Sequence, residues 1–209
     1  MSIFKTSGII LKKIHKSKDI MYIIFSVDYW KIAVVSKNSN KEKKLDLWYI
    51  ISFELRTKWE KELFSIRNIK ILKEFNYLNF SFKTINNYQI LITLIYKLAP
   101  EKKQIFNIFE VVKKINSSLF QPSPQPSPLQ GEGEATEKKI NIKIILACLK
   151  ILNIFGLLYL EHKNLETKKI LNFINNNSFS RISLLIWISE KSLENFEKII
   201  LENLKNKKK

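Results

Sequence analysis

The first 75 positions set apolar and β-branched runs against basic turns, a period-two pattern that predicts five short strands. Residues 3–14 carry Ile3, Ile9 and Leu11, with Gly8 expected at a bulge or a close backbone approach. Residues 20–27 form a β-branched and aromatic run. Asp28-Tyr29 turns that run into a third strand over 30–35, giving a hairpin. A polar, basic loop occupies 37–44, a fourth strand 48–55, a turn 56–61 and a fifth strand 63–72.

The period changes after Asn79. Leu91, Leu94, Ile95 and Leu98 keep helical spacing within 84–98. Pro100 suits the first turn of a second helix, whose stripe is Ile105, Ile108, Phe109, Val112 and Ile115. A Pro/Ser/Gly-rich segment at 119–138 cannot build a core and is expected to be a disordered insertion. Helix resumes over 139–155, with Ile145, Leu149, Leu152 and Phe155 on one face and Gly156 as C-cap. Further helices are expected at 165–175, 181–189 and 192–206, and a frayed lysine tail after them. The fold class is therefore α+β. A five-stranded OB-type β-barrel (1–78) precedes an all-α helical domain (79–206) that is interrupted at 119–138.

Charge adds a partner class. The chain has 36 basic and 19 acidic residues and a net charge of +17, which points to a polyanion. Only Arg56, Arg67 and Arg181 are arginine. An AT-rich coding bias favours lysine over arginine, but it does not explain the excess of basic over acidic residues. The most apolar stretch, 144–160, contains Lys150 and Asn153 and falls short of the ~20 residues a membrane helix needs. The expectation is a cytoplasmic, nucleoid-associated protein with no membrane partner.

Catalytic chemistry is hard to find. His15 and His162 have no cysteine or carboxylate at ligand spacing, so no metal site is expected. Cys148, the only cysteine, sits in an apolar helix and reads as packing. With four glycines, no phosphate-cradling loop is present, so no cofactor and no enzymatic activity are expected.

The basic residues cluster at strand ends. Lys12, Lys13, Lys16 and Lys18 flank the first turn, Lys31 opens the third strand, and Lys37, Lys41, Lys43 and Lys44 crowd the loop after it. Arg56, Lys58 and Lys61 gather at the last hairpin. Lysine neutralises phosphate without reading sequence. Most aromatic rings in this half are expected in the core. Tyr29, Trp30 and Trp59 lie at turns and are candidates for stacking on bases.

The ordered series resembles the DNA repair protein RecO family. It comprises Gly8-Ile9-Ile10-Leu11-Lys12, Asp19 leading into 20–25, the Trp30-Lys31 turn, Ala33-Val34-Val35, Lys43-Lys44-Leu45, Glu54-Leu55 and Leu72-Lys73-Glu74-Phe75. Trp30 stands where that family has a turn glycine, and Ile20 where it commonly has arginine. The basic loop lacks the family's arginines and glycine. The family's four-cysteine zinc module is missing from 161–177, so no zinc is expected. The resemblance implies a recombination mediator that binds single- and double-stranded DNA and anneals complementary strands. It implies work with RecR, docking on the tail of single-strand binding protein through the helical domain, and so the loading of RecA. The alternative is a generic OB-type RNA- or ribosome-associated binding protein without mediator activity.

Overall fold

A computed structural model describes residues 3–16, 19–37, 45–56, 64–100, 106–119, 132–185 and 187–206. These fall into two compact units, one drawn from Met1–Asn76 with Ala99–Ile105, the other from Tyr77–Leu98 with Phe106–Lys209. The fold class is α+β, with a five-stranded sheet before the helices.

In the first unit the strands are β1 (Ile3–Lys16), β2 (Asp19–Ser26), β3 (Trp30–Lys37), β4 (Ile50–Arg56) and β5 (Phe64–Lys73). Their order is β1-β2-β3-β5-β4, and the sheet closes because β1 pairs with both β2 and β4. All contacts are antiparallel except β3 with β5. Gly8 and Ile9 belong to both β1 ladders at once: Gly8 faces Ser26 on one side and Ile51 on the other. Alternation then sends Ile10, Tyr22, Ile24, Ile32, Val34, Ile51, Phe53, Leu55 and Ile66 into one core.

The expected close approach at Gly8 is present. A Cβ there would lie 2.6 Å from the Phe25 carbonyl oxygen and 2.7 Å from Ile24 Cγ2. The fourth strand begins at Ile50, later than the sequence pattern suggested. Trp48 has φ +67°, a left-handed backbone that ends extended pairing. Its N–H still bonds the Ile10 carbonyl (2.9 Å), and its ring meets Phe75 edge-on at 4.9 Å.

The second unit holds α1 (Phe82–Leu98), α2 (Phe106–Leu119), α3 (Glu132–Ile154), α4 (Leu165–Asn176), the single turn α5 (Phe179–Ile182) and α6 (Glu190–Asn206). The α1 stripe Leu91, Leu94, Ile95 and Leu98 is buried as its spacing required. In α2, Ile108, Val112 and Ile115 are buried. Ile105 and the turn expected after Pro100 lie outside the described residues. Helix α3 is buried on nearly every side from Ile142 to Leu152 and touches each of the other five helices. It ends at Gly156 (φ +66°), where Leu157 N–H bonds the Leu152 carbonyl and Gly156 N–H the Asn153 carbonyl, a Schellman cap.

Two expectations need correcting. Residues 132–138, expected inside the disordered insertion, form the first turns of α3, where Glu137 is anchored to α1. Residues 183–185 and 187–189, expected to be helical, are irregular after one turn of α5. There Ser189 stops being a helix residue and becomes the N-cap of α6.

Neighbouring helices supply the caps. Glu137 of α3 accepts from Ser81 N–H and Thr84 Oγ1, both at 2.7 Å, at the α1 N-terminus. Glu166 of α4 accepts from the Ser189 N–H (3.2 Å), the Ser189 hydroxyl and Ser192 Oγ (2.9 Å) at the α6 N-terminus. At the opposite ends, Lys150 of α3 donates to the Ile174 carbonyl of α4 (2.9 Å), and Lys97 of α1 to the Leu204 carbonyl of α6 (3.0 Å).

Replacing Gly8 with alanine should destabilise the protein by about 1–3 kcal/mol or more, because the clash is with backbone as well as side chain. Urea denaturation measures it, and an unchanged midpoint would contradict the close approach. The two capping carboxyls predict acid sensitivity. Burial pushes Glu137 up, but the Ser81 and Thr84 donors together hold it below its ordinary value of 4.5. Ser189 hydroxyl and backbone, then Ser192, hold Glu166 below 4.5 too. A carboxyl lowered in the fold stabilises it above the unfolded value, and that stabilisation disappears as pH falls through the folded one. The stability gap between the native protein and a Glu137→Gln/Glu166→Gln variant should hold at neutral pH and close in acid below about 4.5. A gap independent of pH would contradict the assignment.

Candidate nucleic-acid interface

Outside the core, the closed sheet presents two different surfaces. On β1-β2-β3 the cross-strand rows read Ile9–Phe25–Lys31, Lys12–Ile23–Ala33, Ile14–Met21–Val35 and Lys16–Asp19–Lys37. The middle of this surface is apolar: Ile14, Met21, Ile23, Ala33 and Val35 are all half-buried. Lys12 is exposed and Lys31 half-buried at its edges. Lys16 and Lys37 end their strands, and their side chains are outside the described set.

Of the other basic candidates, Lys13 is half-buried and its Nζ donates to the Leu45 carbonyl at 2.8 Å, tying β1 to the segment entering β4. That contact gives it a structural task. Arg56 ends β4 half-buried, and its Nε is enclosed with no hydrogen-bond partner among the described residues. Lys41, Lys43, Lys44 and Lys58 lie outside the described residues, as does Trp59.

The aromatic candidates divide. Trp30 is not a stacking platform: it is 2% exposed and packs edge-on against Phe25 at 5.5 Å. The reason is local. Trp30 has φ +62°, the left-handed conformation that makes glycine the easy choice at this hairpin, and the turn directs the indole into protein. Ser26 Oγ, itself bonded to Thr6 Oγ1 at 2.9 Å, and Asp28, which accepts from Thr6 at 2.6 Å, secure that turn. Tyr29 remains half-exposed, with its ring 5.9 Å from that of Phe4. Tyr22, Phe25 and Trp48 are buried, as expected of most rings in this half.

The second surface, on β1-β4-β5, was not anticipated. Its rows read Ile3–Arg56–Ser65, Lys5–Glu54–Arg67, Ser7–Ser52–Lys70 and Ile9–Ile50–Lys73. Lys5, Arg67, Lys70 and Lys73 are exposed, and Arg56 is half-buried. Glu54 is the one acid in these rows and accepts from Asn68 Nδ2 at 2.7 Å. Arg67, Lys70 and Lys73 recur every third residue, so a regular strand would alternate them between faces. Two register shifts against β4 restore them to one side, between Ser52 and Glu54 and between Ile50 and Ile51. At the first shift Asn68 adopts φ +51°, as a bulge residue can. The available signal was that asparagine, flanked by cations at a spacing of three.

Other chemistry is sparse. Among the described residues no three His, Cys, Asp or Glu side chains group to hold a metal. Cys148 is buried, and burial pushes its thiol far up, away from nucleophilic use. A groove of about 470 Å³ between α1, α3 and α6 has Ile142, Ile145 and Leu193 in its wall and Glu190, Glu194 and Glu197 along α6, so it does not suit phosphate. No helix among the described residues is long and apolar enough to cross a membrane. No family model matches the chain, and no curated protein matches it.

Trp30 gives a test of the interface. Trp30→Gly relieves about 1–2 kcal/mol of backbone strain but removes a buried indole worth about 3–5 kcal/mol, so the variant should be less stable by roughly 2 kcal/mol. Its affinity for an oligonucleotide, per folded molecule, should be unchanged. Equal stability with lost affinity would return the ring to the binding surface.

Proposed function

We propose that the closed sheet is an OB-type barrel and that the chain is a recombination mediator of the RecO kind. It binds single- and double-stranded DNA through phosphates and anneals complementary strands. With RecR it helps RecA replace single-strand binding protein, whose tail docks on the helical unit. The observation that carries this reading is the strand order β1-β2-β3-β5-β4 with cations on its outer surface. The ordered residue series from Gly8 to Phe75 supports it independently.

The chemistry is electrostatic. Two complementary strands repel until their phosphates are neutralised, and their bases must stay free to pair. Exposed lysines meet the first need. The burial of Trp30 and Trp48 favours the second, because rings held in the protein do not compete for bases. No bond is made or broken, so the reading requires no catalytic residue.

Annealing of complementary oligonucleotides coated with single-strand binding protein is the decisive measurement. A mediator accelerates it. A generic RNA- or ribosome-binding module binds strands but leaves the coated pair apart. Within this reading, Lys37, Lys41, Lys43 and Lys44 predict that reversing their charge makes the salt dependence of single-strand binding shallower, by up to about 0.7 per lost phosphate contact. An unchanged slope would remove that loop from the interface.

A further inference from the structure

We infer that the β1-β4-β5 surface, rather than the β2–β3 face, is the track that holds the phosphodiester backbone of a single strand. This rests on the nucleic-acid reading above and names the site within it.

Three features of the surface converge. The first is its charge: Lys5, Arg56, Arg67, Lys70 and Lys73 stand against Glu54 alone. Two of the chain's three arginines are here. Arginine suits phosphate because its planar donors can engage two oxygens at once.

The second is arrangement. Strand β4 runs along the middle of this surface, and its outward positions include Ser52 and Glu54. On one side stand Lys5 and Ser7 of β1, on the other Arg67, Lys70 and Lys73 of β5. Neighbouring strands lie about 4.8 Å apart, so a backbone laid along β4 is reached from both sides. Successive rows are about 6.8 Å apart along the strand. That is two nucleotides of stacked rise, at about 3.4 Å each. The rows from Arg56 to Ile50 therefore accommodate roughly six nucleotides.

The third is what lies between the cations. Ser7, Ser52 and Ser65 interleave with them, and hydroxyls also donate to phosphate. A surface built for an anionic membrane would set large apolar side chains throughout, whereas here they stand only in the end rows, at Ile3 and at Ile9 and Ile50. The β2–β3 face does the reverse, with Met21, Ile23, Ala33 and Val35 at its centre. Two bulges complete the arrangement. They hold Arg67, Lys70 and Lys73 on one side while Ile66, Ile69 and Ile71 pack toward the core.

The test compares the full chain with two variants, using a fluorescent thymidine oligonucleotide across a salt series. Arg67→Gln/Lys70→Gln/Lys73→Gln should weaken binding about tenfold or more at low salt and make the slope shallower by about 2. Lys12→Gln/Lys31→Gln should change affinity by less than about threefold. Thermal melting should be near native for the triple variant, since its side chains are exposed. Glu54→Gln, which removes the one anion from these rows, should bind a few-fold tighter. A wild-type chain that binds no oligonucleotide overturns the functional reading and this site with it. A wild-type chain that binds while the triple variant keeps its slope overturns the site alone. Equal or tighter binding to phosphatidylglycerol vesicles, abolished by the same triple variant and not displaced by oligonucleotide, also overturns it.

Discussion

Closure of the sheet depends on one strand serving two partners. Strand β1 pairs with β4 through its first half and with β2 through its second, and the two ladders overlap at Gly8 and Ile9. Backbone must pass close to backbone at that overlap, and the distances around Gly8 leave no room for a methyl group. If β1 could not be shared, β4 would lose one neighbour, and the basic surface across β1, β4 and β5 would lose a strand. The fold's closure and its most basic surface therefore share one small residue.

The helical unit applies a different economy. Its helices do not cap only themselves. Glu137 and Glu166 complete the N-termini of α1 and α6 from other helices, and Lys150 and Lys97 complete the C-termini of α4 and α6. Each contact matches a charge to a helix dipole and a donor to an orphan backbone group. Tyr88, fully buried in α1, adds a 2.6 Å hydrogen bond to Asn116 of α2. The bundle is thus cross-linked by polar bonds at helix ends as well as by apolar stripes. A net charge of +17 then measures more than a ligand surface, because some of these lysines serve as internal fasteners.

Much of the fold was legible from pattern alone. The five strands, the α1 stripe and the Gly156 cap follow from local periodicity and backbone preference, and apart from the later start of β4 they stand close to where the sequence placed them. What escaped was set by tertiary context. Residues 132–138 look incapable of ordering by composition, yet Glu137 gains partners on α1. Residues 183–189 have helical spacing, yet Ser189 is needed as a cap. Trp30 looks exposed because it comes after a turn, but its left-handed backbone turns the ring inward. The cations of β5 hid behind an assumption of strict alternation.

In β5 the side of the sheet on which a residue emerges is set by how many residues precede it, and Asn68 supplies one more than the ladder with β4 counts. The strand behaves like a reading frame. Drawing Asn68 back into regular pairing would leave the composition intact and transpose every later position of the strand, sending Lys70 toward the core and Ile69 or Ile71 toward solvent. Deleting Asn68 would instead set Arg67 and Lys70 two residues apart, a spacing that keeps both on one side with no bulge. Among distant versions of this chain, a spacing of three between these cations would therefore go with an intervening residue that accepts a left-handed backbone, and a spacing of two would need none.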